Sequence, residues 1–202
     1  AEREAARVPG LEGVAPRPLE RAVVIGGGTM GSGIAMALAD AGLPVAIVER
    51  DAAAAEQCAA RLRDAYAGQV ASGRLDPATA EERLGRVTAT ADWGVLREAD
   101  LAIEAAFEEM EVKADIFRRL DAMAKPGAVL ASNTSYLDLD AIARFTARPR
   151  DVLGLHFFAP AQVMKLLEVV RGAETAPEVL ASGIALGRKL GKVAVVSGVC
   201  EG

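Results

Sequence analysis

The chain carries one histidine, His156, in the stretch "GLHFFAPAQVMKLLEVV", and a glutamate, Glu168, follows twelve positions on. Imidazole is the side chain that titrates near neutrality. A carboxylate accepting from one ring nitrogen fixes the tautomer and makes the other nitrogen a better base. These two residues could together take a proton from a bound alcohol. A second group lies in "VVIGGGTMGSG", where Gly26, Gly28 and Gly31 keep a GxGxxG spacing and Thr29 and Met30 open the segment that follows. In such a loop the first glycine allows a tight turn, the second lets backbone approach a pyrophosphate, and the third lets helix and strand pack closely. Glu49 stands 23 residues after Gly26, where a carboxylate can take both ribose hydroxyls of an adenosine. It would repel a 2′-phosphate, which favours NAD over NADP, although the neighbouring Arg50 is a residue type that can accept that phosphate.

Polar residues also follow other apolar runs. "AIEAAFEEMEVK" supplies Glu104, Glu108 and Lys113, and "ASNTS" supplies Ser132, Asn133, Thr134 and Ser135. Each has a plainer reading. Acidic residues such as Glu108, Glu109 and Glu111 suit a helix start, where they meet the positive end of its dipole. Of Ser132, Asn133 and Ser135, at least one is expected to cap the helix that opens at "LDLDAIA". In the same way, Arg61 and Arg63 could reach the phosphates of a ligand, but ordinary surface charge is the plainer reading.

The elements that must position these residues follow from the apolar pattern. "RAVVIG" is a short strand ending at glycine, "TMGSGIAMALADAG" a small-residue helix ended by Gly42, and "PVAIVER" a second strand. A long helix from Ala52 to Gly73 and a second opening at Asp76 and Pro77 form a helical insertion after that strand. "RVTAT" and "ADLAIEA" are strands, "EVKADIFRRLDAMAK" a helix stopped by Pro126 and Gly127, and "AVLASN" a buried strand. "YLDLDAIARF" is a short helix, "DVLGLHFF" and "KLLEVVR" strands, "PEVLASGIALGRKLG" a helix and "KVAVVS" a last strand. Strands alternating with helices predict an α/β fold, a Rossmann-type doubly wound and mostly parallel sheet. Polar residues just after its strands then fall where such sheets bind ligands. Residues 1–20, charged and then rich in Pro and Gly, read as a helix remnant and linker, and residues 21–202 as the folded domain.

Composition narrows the functions. The 202 residues are 51% hydrophobic, enough for a sizeable core, with no apolar run near the roughly 18 residues of a membrane span. A formal charge of −5 in mixed signs offers no basic face for nucleic acid. Two distant cysteines, Cys58 and Cys200, suggest neither a disulfide framework nor a metal site, and fit a reducing compartment. An enzyme of another hydroxyacid class and an NAD(H)-sensing module remain alternatives. The first typically uses a lysine as acid or base, and the second needs neither His156 nor Ser135.

The stretches "VIGGGTMGSGIA", "AIEAAFEEMEVK", "SNTSYLDLDAIA", "HFFAPAQVMKLLEVV" and "SGVCEG", in this order, resemble the NAD-binding domain of the L-3-hydroxyacyl-CoA dehydrogenase family. The resemblance implies NAD-dependent oxidation of an acyl-CoA substrate in fatty-acid β-oxidation, with His156 as general base and Glu168 as its partner. It places Ser135 on the reacting oxygen, Asn133 nearby, and Glu108 and Lys113 beside the cofactor, with Gly26, Gly28, Thr29, Met30, Gly31 and Glu49 holding the dinucleotide. "AEREAARVPG" is similar to the linker that joins an enoyl-CoA hydratase domain to this one in multifunctional proteins, and Ala159 in "FFAP" leans the same way. A further catalytic asparagine of the family would follow Gly202, in a C-terminal region that closes the substrate site and forms a homo-oligomer contact. The expectation is therefore of a domain that binds NAD but turns over poorly alone, from a bacterial cytoplasm or a peroxisome.

Overall fold

A computed structural model describes residues 8–199. Its first half alternates strand and helix: β1 (Ala22–Ile25), α1 (Thr29–Asp40), β2 (Val45–Val48), α2 (Ala52–Ala71), α3 (Pro77–Leu84), β3 (Val87–Thr90) and β4 (Leu101–Glu104). The second half runs α4 (Met110–Met123), β5 (Val129–Ser132), α5 (Leu139–Ala143), β6 (Val152–Phe157), β7 (Leu166–Arg171), α6 (Pro177–Lys189) and β8 (Val193–Gly198). Two 3-10 turns, at Trp93–Glu98 and Pro149–Asp151, were not foreseen; both are too short to show a helical period.

The eight strands lie in the order β3-β2-β1-β4-β5-β6-β7-β8. All neighbours are parallel except β6 and β7, which pair antiparallel. β1, β4 and β5 are buried along their whole length because helices cover both faces, which explains their uninterrupted apolar runs. On one face Ile34 and Leu38 of α1 pack with Val24 and Ile47; on the other Phe117 and Leu120 of α4 pack with Val23 and Leu130. Each such side chain contributes about 1.5–3 kcal/mol by leaving water. The sheet order reverses between β1 and β4, so connections leave the strand ends in opposite directions and open a crevice there.

Local signals fix the helix ends. Asp76 caps α3 by accepting from the Thr79 N–H at 2.9 Å, with Pro77 in the first turn. Gly42 follows α1 with φ +87°, a left-handed conformation that favours glycine. The cap of α5 corrects the sequence reading. Asp138 accepts from the N–H groups of Asp140 (2.8 Å) and Ala141 (3.2 Å), so Ser132, Asn133 and Ser135 are not used for capping. The segment read as a linker is docked from Val8 onward. Val8, Leu11 and Leu19 pack on the core, and the Arg17 guanidinium donates to Asp151 at 2.7 Å and Glu178 at 3.1 Å. The expected helix remnant at 1–7 lies outside the described residues, as does Cys200. Among the described residues no helix is long and apolar enough to cross a membrane.

Candidate active site

At the turn from β1 into α1, Gly26 has φ +94° and donates its N–H to the Val48 carbonyl at 2.9 Å. A Cβ on Gly31 would lie 1.8 Å from the Gly26 carbonyl oxygen, so only glycine allows the helix to approach the turn. Nothing lies within 4 Å of a Cβ placed on Gly28; that space is open. Gly28 caps α1 without a side chain, so no side-chain oxygen takes the first-turn N–H groups. With Thr29 and Met30 also lining the cleft, this helix end suits a phosphate.

Glu49, at the end of β2, turns its Oε1 to the Gly27 N–H at 3.0 Å. The carboxylate is thus fixed beside the loop, where ribose hydroxyls would reach it. Arg61 corrects its reading as plain surface charge: Nη2 donates to the Gly27 carbonyl at 2.7 Å and lies 4.0 Å from Glu49. It comes three residues after the buried Cys58 on α2, at the edge of the buried stripe, and that phase was the available signal.

Beyond β4 and β5 the polar residues form one network. Glu104 is 0% exposed and Lys113 1%; the Lys113 ammonium lies 2.9 Å from both Glu104 oxygens and 3.0 Å from Glu108 Oε2. Ser132 Oγ and the Ala106 N–H complete the coordination of Glu104, at 2.7 and 2.8 Å. Such saturation is what a charge this deeply buried requires. Glu108 Oε1 accepts from Thr134 Oγ1 at 2.5 Å and from the Ser135 N–H at 2.8 Å, with Ser135 Oγ 3.3 Å away. Burial works against this carboxylate, but the bonds from Thr134, Lys113 and Ser135 prevail and hold its pKa below the ordinary value. Glu108 is therefore no solvated helix start. Asn133 Oδ1 accepts from the Phe157 N–H at 2.9 Å, which ties the end of β5 to the end of β6 and leaves the amide NH2 for a ligand.

His156 and Glu168 are direct partners in the antiparallel β6–β7 register. Cross-strand partners share a sheet face, so the register itself brings the side chains together. His156 Nδ1 lies 3.1 Å from Glu168 Oε2, and Ser197 Oγ donates to Glu168 Oε1 at 2.8 Å. The bond with His156, then that from Ser197, hold the Glu168 carboxyl below its ordinary range, with burial opposing. An ionised Glu168 accepts from Nδ1–H, leaving Nε2 as the basic nitrogen. The Phe158 ring packs against the imidazole at 4.4 Å. Lys192 secures the β6–β7 connection by donating to the carbonyls of Ala161 (2.7 Å) and Met164 (2.5 Å). The roles of Ser197 and Lys192 were not legible in sequence, since both act from β8 or its approach across non-adjacent chain.

A cleft of about 1190 Å³ joins these parts. Glu49 and Arg61 line it, as do Gly26 and Gly28 of the loop, and Asn133, Ser135 and His156. The residues fit an extended dinucleotide: a carboxylate for a ribose, an open glycine and uncapped helix end for phosphates, and polar groups with a base for a reacting carbon. No described cluster of His, Cys, Asp and Glu could hold a metal ion.

Comparison with known proteins agrees with this geometry. The family described as 3-hydroxyacyl-CoA dehydrogenase, NAD binding domain, matches residues 21–200. The peroxisomal bifunctional enzyme of Danio rerio is 42% identical over 192 residues, covering 93% of this chain and 25% of that protein. The 3-hydroxybutyryl-CoA dehydrogenase of Clostridioides difficile is 40% identical over 172 residues, covering 85% of this chain and 61% of that one. The crystal structure of M. tuberculosis FadB2 superposes with a TM-score of 0.89 at 36% identity, covering 92% of this chain and 66% of that one. The chain thus spans about a quarter of the length of the bifunctional relative.

Proposed function

Because the chain belongs to the 3-hydroxyacyl-CoA dehydrogenase family, as its NAD-binding domain, we propose that it serves the oxidation of L-3-hydroxyacyl-CoA to 3-ketoacyl-CoA in fatty-acid β-oxidation. His156 Nε2 takes the proton of the substrate's 3-hydroxyl. Glu168 stabilises the imidazolium that forms and keeps Nδ1 protonated throughout. Ser135 hydrogen-bonds the reacting oxygen, and its backbone is held for this by Glu108. Asn133, fixed through its carbonyl oxygen, offers its NH2 to the same region. NAD, when bound, supplies the acceptor for the hydride leaving the carbinol carbon. Gly26, Gly28, Thr29, Met30 and Gly31 hold its phosphate region, Glu49 its adenosine ribose, and Glu108 with Lys113 border the cleft nearer the reaction.

The observation that carries this reading is the His156–Glu168 pair, built into one sheet register, with His156 lining the same cleft as Ser135 and Asn133. A mechanism based on Lys113 is disfavoured by its place in the network, where Glu104 and Glu108 hold its side-chain nitrogen at 2.9 and 3.0 Å. Residues 21–202 are proposed as the cofactor-binding unit of a longer protein that also carries a substrate-closing, homo-oligomerising region and an upstream enoyl-CoA hydratase domain. The coverage of the bifunctional relative supports this arrangement.

The test is His156→Gln in the full-length protein. Acetoacetyl-CoA reduction is expected to fall about 10²- to 10⁴-fold, with NADH affinity little changed. Retained activity would remove His156 from the mechanism.

A further inference from the structure

We propose that Ser197 is a positioning residue for the base: its hydroxyl holds Glu168 in the rotamer that pairs with His156. The inference rests on the proposed role of His156, but its evidence is separate. Glu168 has two oxygens with different partners, Oε2 with His156 Nδ1 at 3.1 Å and Oε1 with Ser197 Oγ at 2.8 Å. The β6–β7 register brings Glu168 opposite His156 but does not fix its side-chain torsions. The Glu168 side chain is 34% exposed, so water offers it another resting place. A glutamate released in that way loses its bond to the imidazole, because a solvated carboxylate gains little from one exposed partner.

Ser197 removes that freedom from the opposite side. β7 and β8 are parallel, with Glu168 beside Val195 and Val170 beside Ser197. Residues two apart on a strand share a face, so Ser197 and Glu168 lie diagonally on one surface of the sheet. The hydroxyl has little choice of role, since an ionised carboxylate only accepts. Clamped at both oxygens, the carboxylate has one orientation, and the imidazole one tautomer.

The chain's only histidine makes the test direct. Nitrogen-15 NMR of the imidazole reports its tautomer whether or not the protein turns over, so this inference and the proposed function fail separately. Glu168 on β7 is the charged group facing the ring; Glu108 and Lys113 line the cavity from the β4–α4 side and stay unchanged in every variant. Ser197→Val and Ser197→Thr have the same shape, both suit a strand, and differ in the hydroxyl alone. In Ser197→Val the Nδ1–H tautomer of His156 is expected to lose share, toward the mixture in Glu168→Gln. Ser197→Thr should restore it. A tautomer share in Ser197→Val that is unchanged would overturn the positioning role, as would equal losses in the Val and Thr variants.

Discussion

In the proposed mechanism His156 serves as a base only while Nδ1 keeps its proton, and Glu168 is the group placed to keep it there. Removing the charge while keeping the shape separates the two functions of the pair. Glu168→Gln is expected to lower turnover about 10- to 100-fold while leaving NADH affinity unchanged, measured by steady-state kinetics and fluorescence titration of the full-length protein. The pH dependence of stability follows from the depressed carboxyls of Glu108 and Glu168, whose ordinary value is 4.5. With a lower pKa in the folded state, the unfolded chain binds protons first as the solution is acidified. The stability these groups contribute is therefore present above about pH 4.5 and is lost as pH falls through their depressed values. Urea unfolding followed between about pH 6 and pH 3 should show this loss, and Glu108→Gln should make it shallower; an equal slope in that variant would contradict the assignment. At this scale the sequence exposed the types and the spacing: an odd imidazole, a carboxylate on the next strand, a glycine loop with an acid after it. It hid Ser197 and Lys192, and it hid Glu104 as the anchor of Lys113. Those pairings depend on which strands become neighbours and on side-chain torsions, neither of which leaves a local pattern.

Among the elements, the β1–α1 turn makes the sharpest distinction between folding and binding. A Cβ on Gly31 collides with the Gly26 carbonyl, whereas a Cβ on Gly28 enters empty space. Gly31→Ala is therefore expected to cost about 3 kcal/mol or more, seen in thermal and urea unfolding, because backbone must move to admit it. Gly28→Ala should unfold like the parent chain yet bind NADH at least about tenfold more weakly, because the added methyl occupies the path of the pyrophosphate. Equal NADH affinity in Gly28→Ala would mean that the phosphates do not approach there. The elements themselves were readable because α1, α2, α4 and α6 have clear starts or stops and the central strands are unbroken apolar runs. Asp76 with Pro77 marked α3 as the structure has it. The α5 cap was misplaced because "SNTSYLDLD" offers several capping side chains in succession, and only the backbone path selects Asp138. The docking of residues 8–20 was equally hidden, since Arg17 meets Asp151 and Glu178, more than 130 positions away.

For the whole molecule, the reversal of sheet order between β1 and β4 creates the crevice, and the β6–β7 pair carries His156 to it. A ligand that binds only the folded state must raise its stability. NAD at 100 times its dissociation constant is expected to add about 2.7 kcal/mol, read as an upward thermal shift. NADPH should shift the transition less than NADH, because Glu49, as the proposed ribose partner, would repel a 2′-phosphate; a larger response to NADPH would overturn that role for Glu49. The central claim joins cofactor, base and substrate, and a steady-state assay of the full-length protein with L-3-hydroxyacyl-CoA tests all three together. NADH should form with NAD as cofactor, far more slowly with NADP, and about 10²- to 10⁴-fold more slowly in His156→Gln. Undiminished turnover in His156→Gln, or no oxidation of any 3-hydroxyacyl-CoA by a protein that binds NAD, would contradict the account.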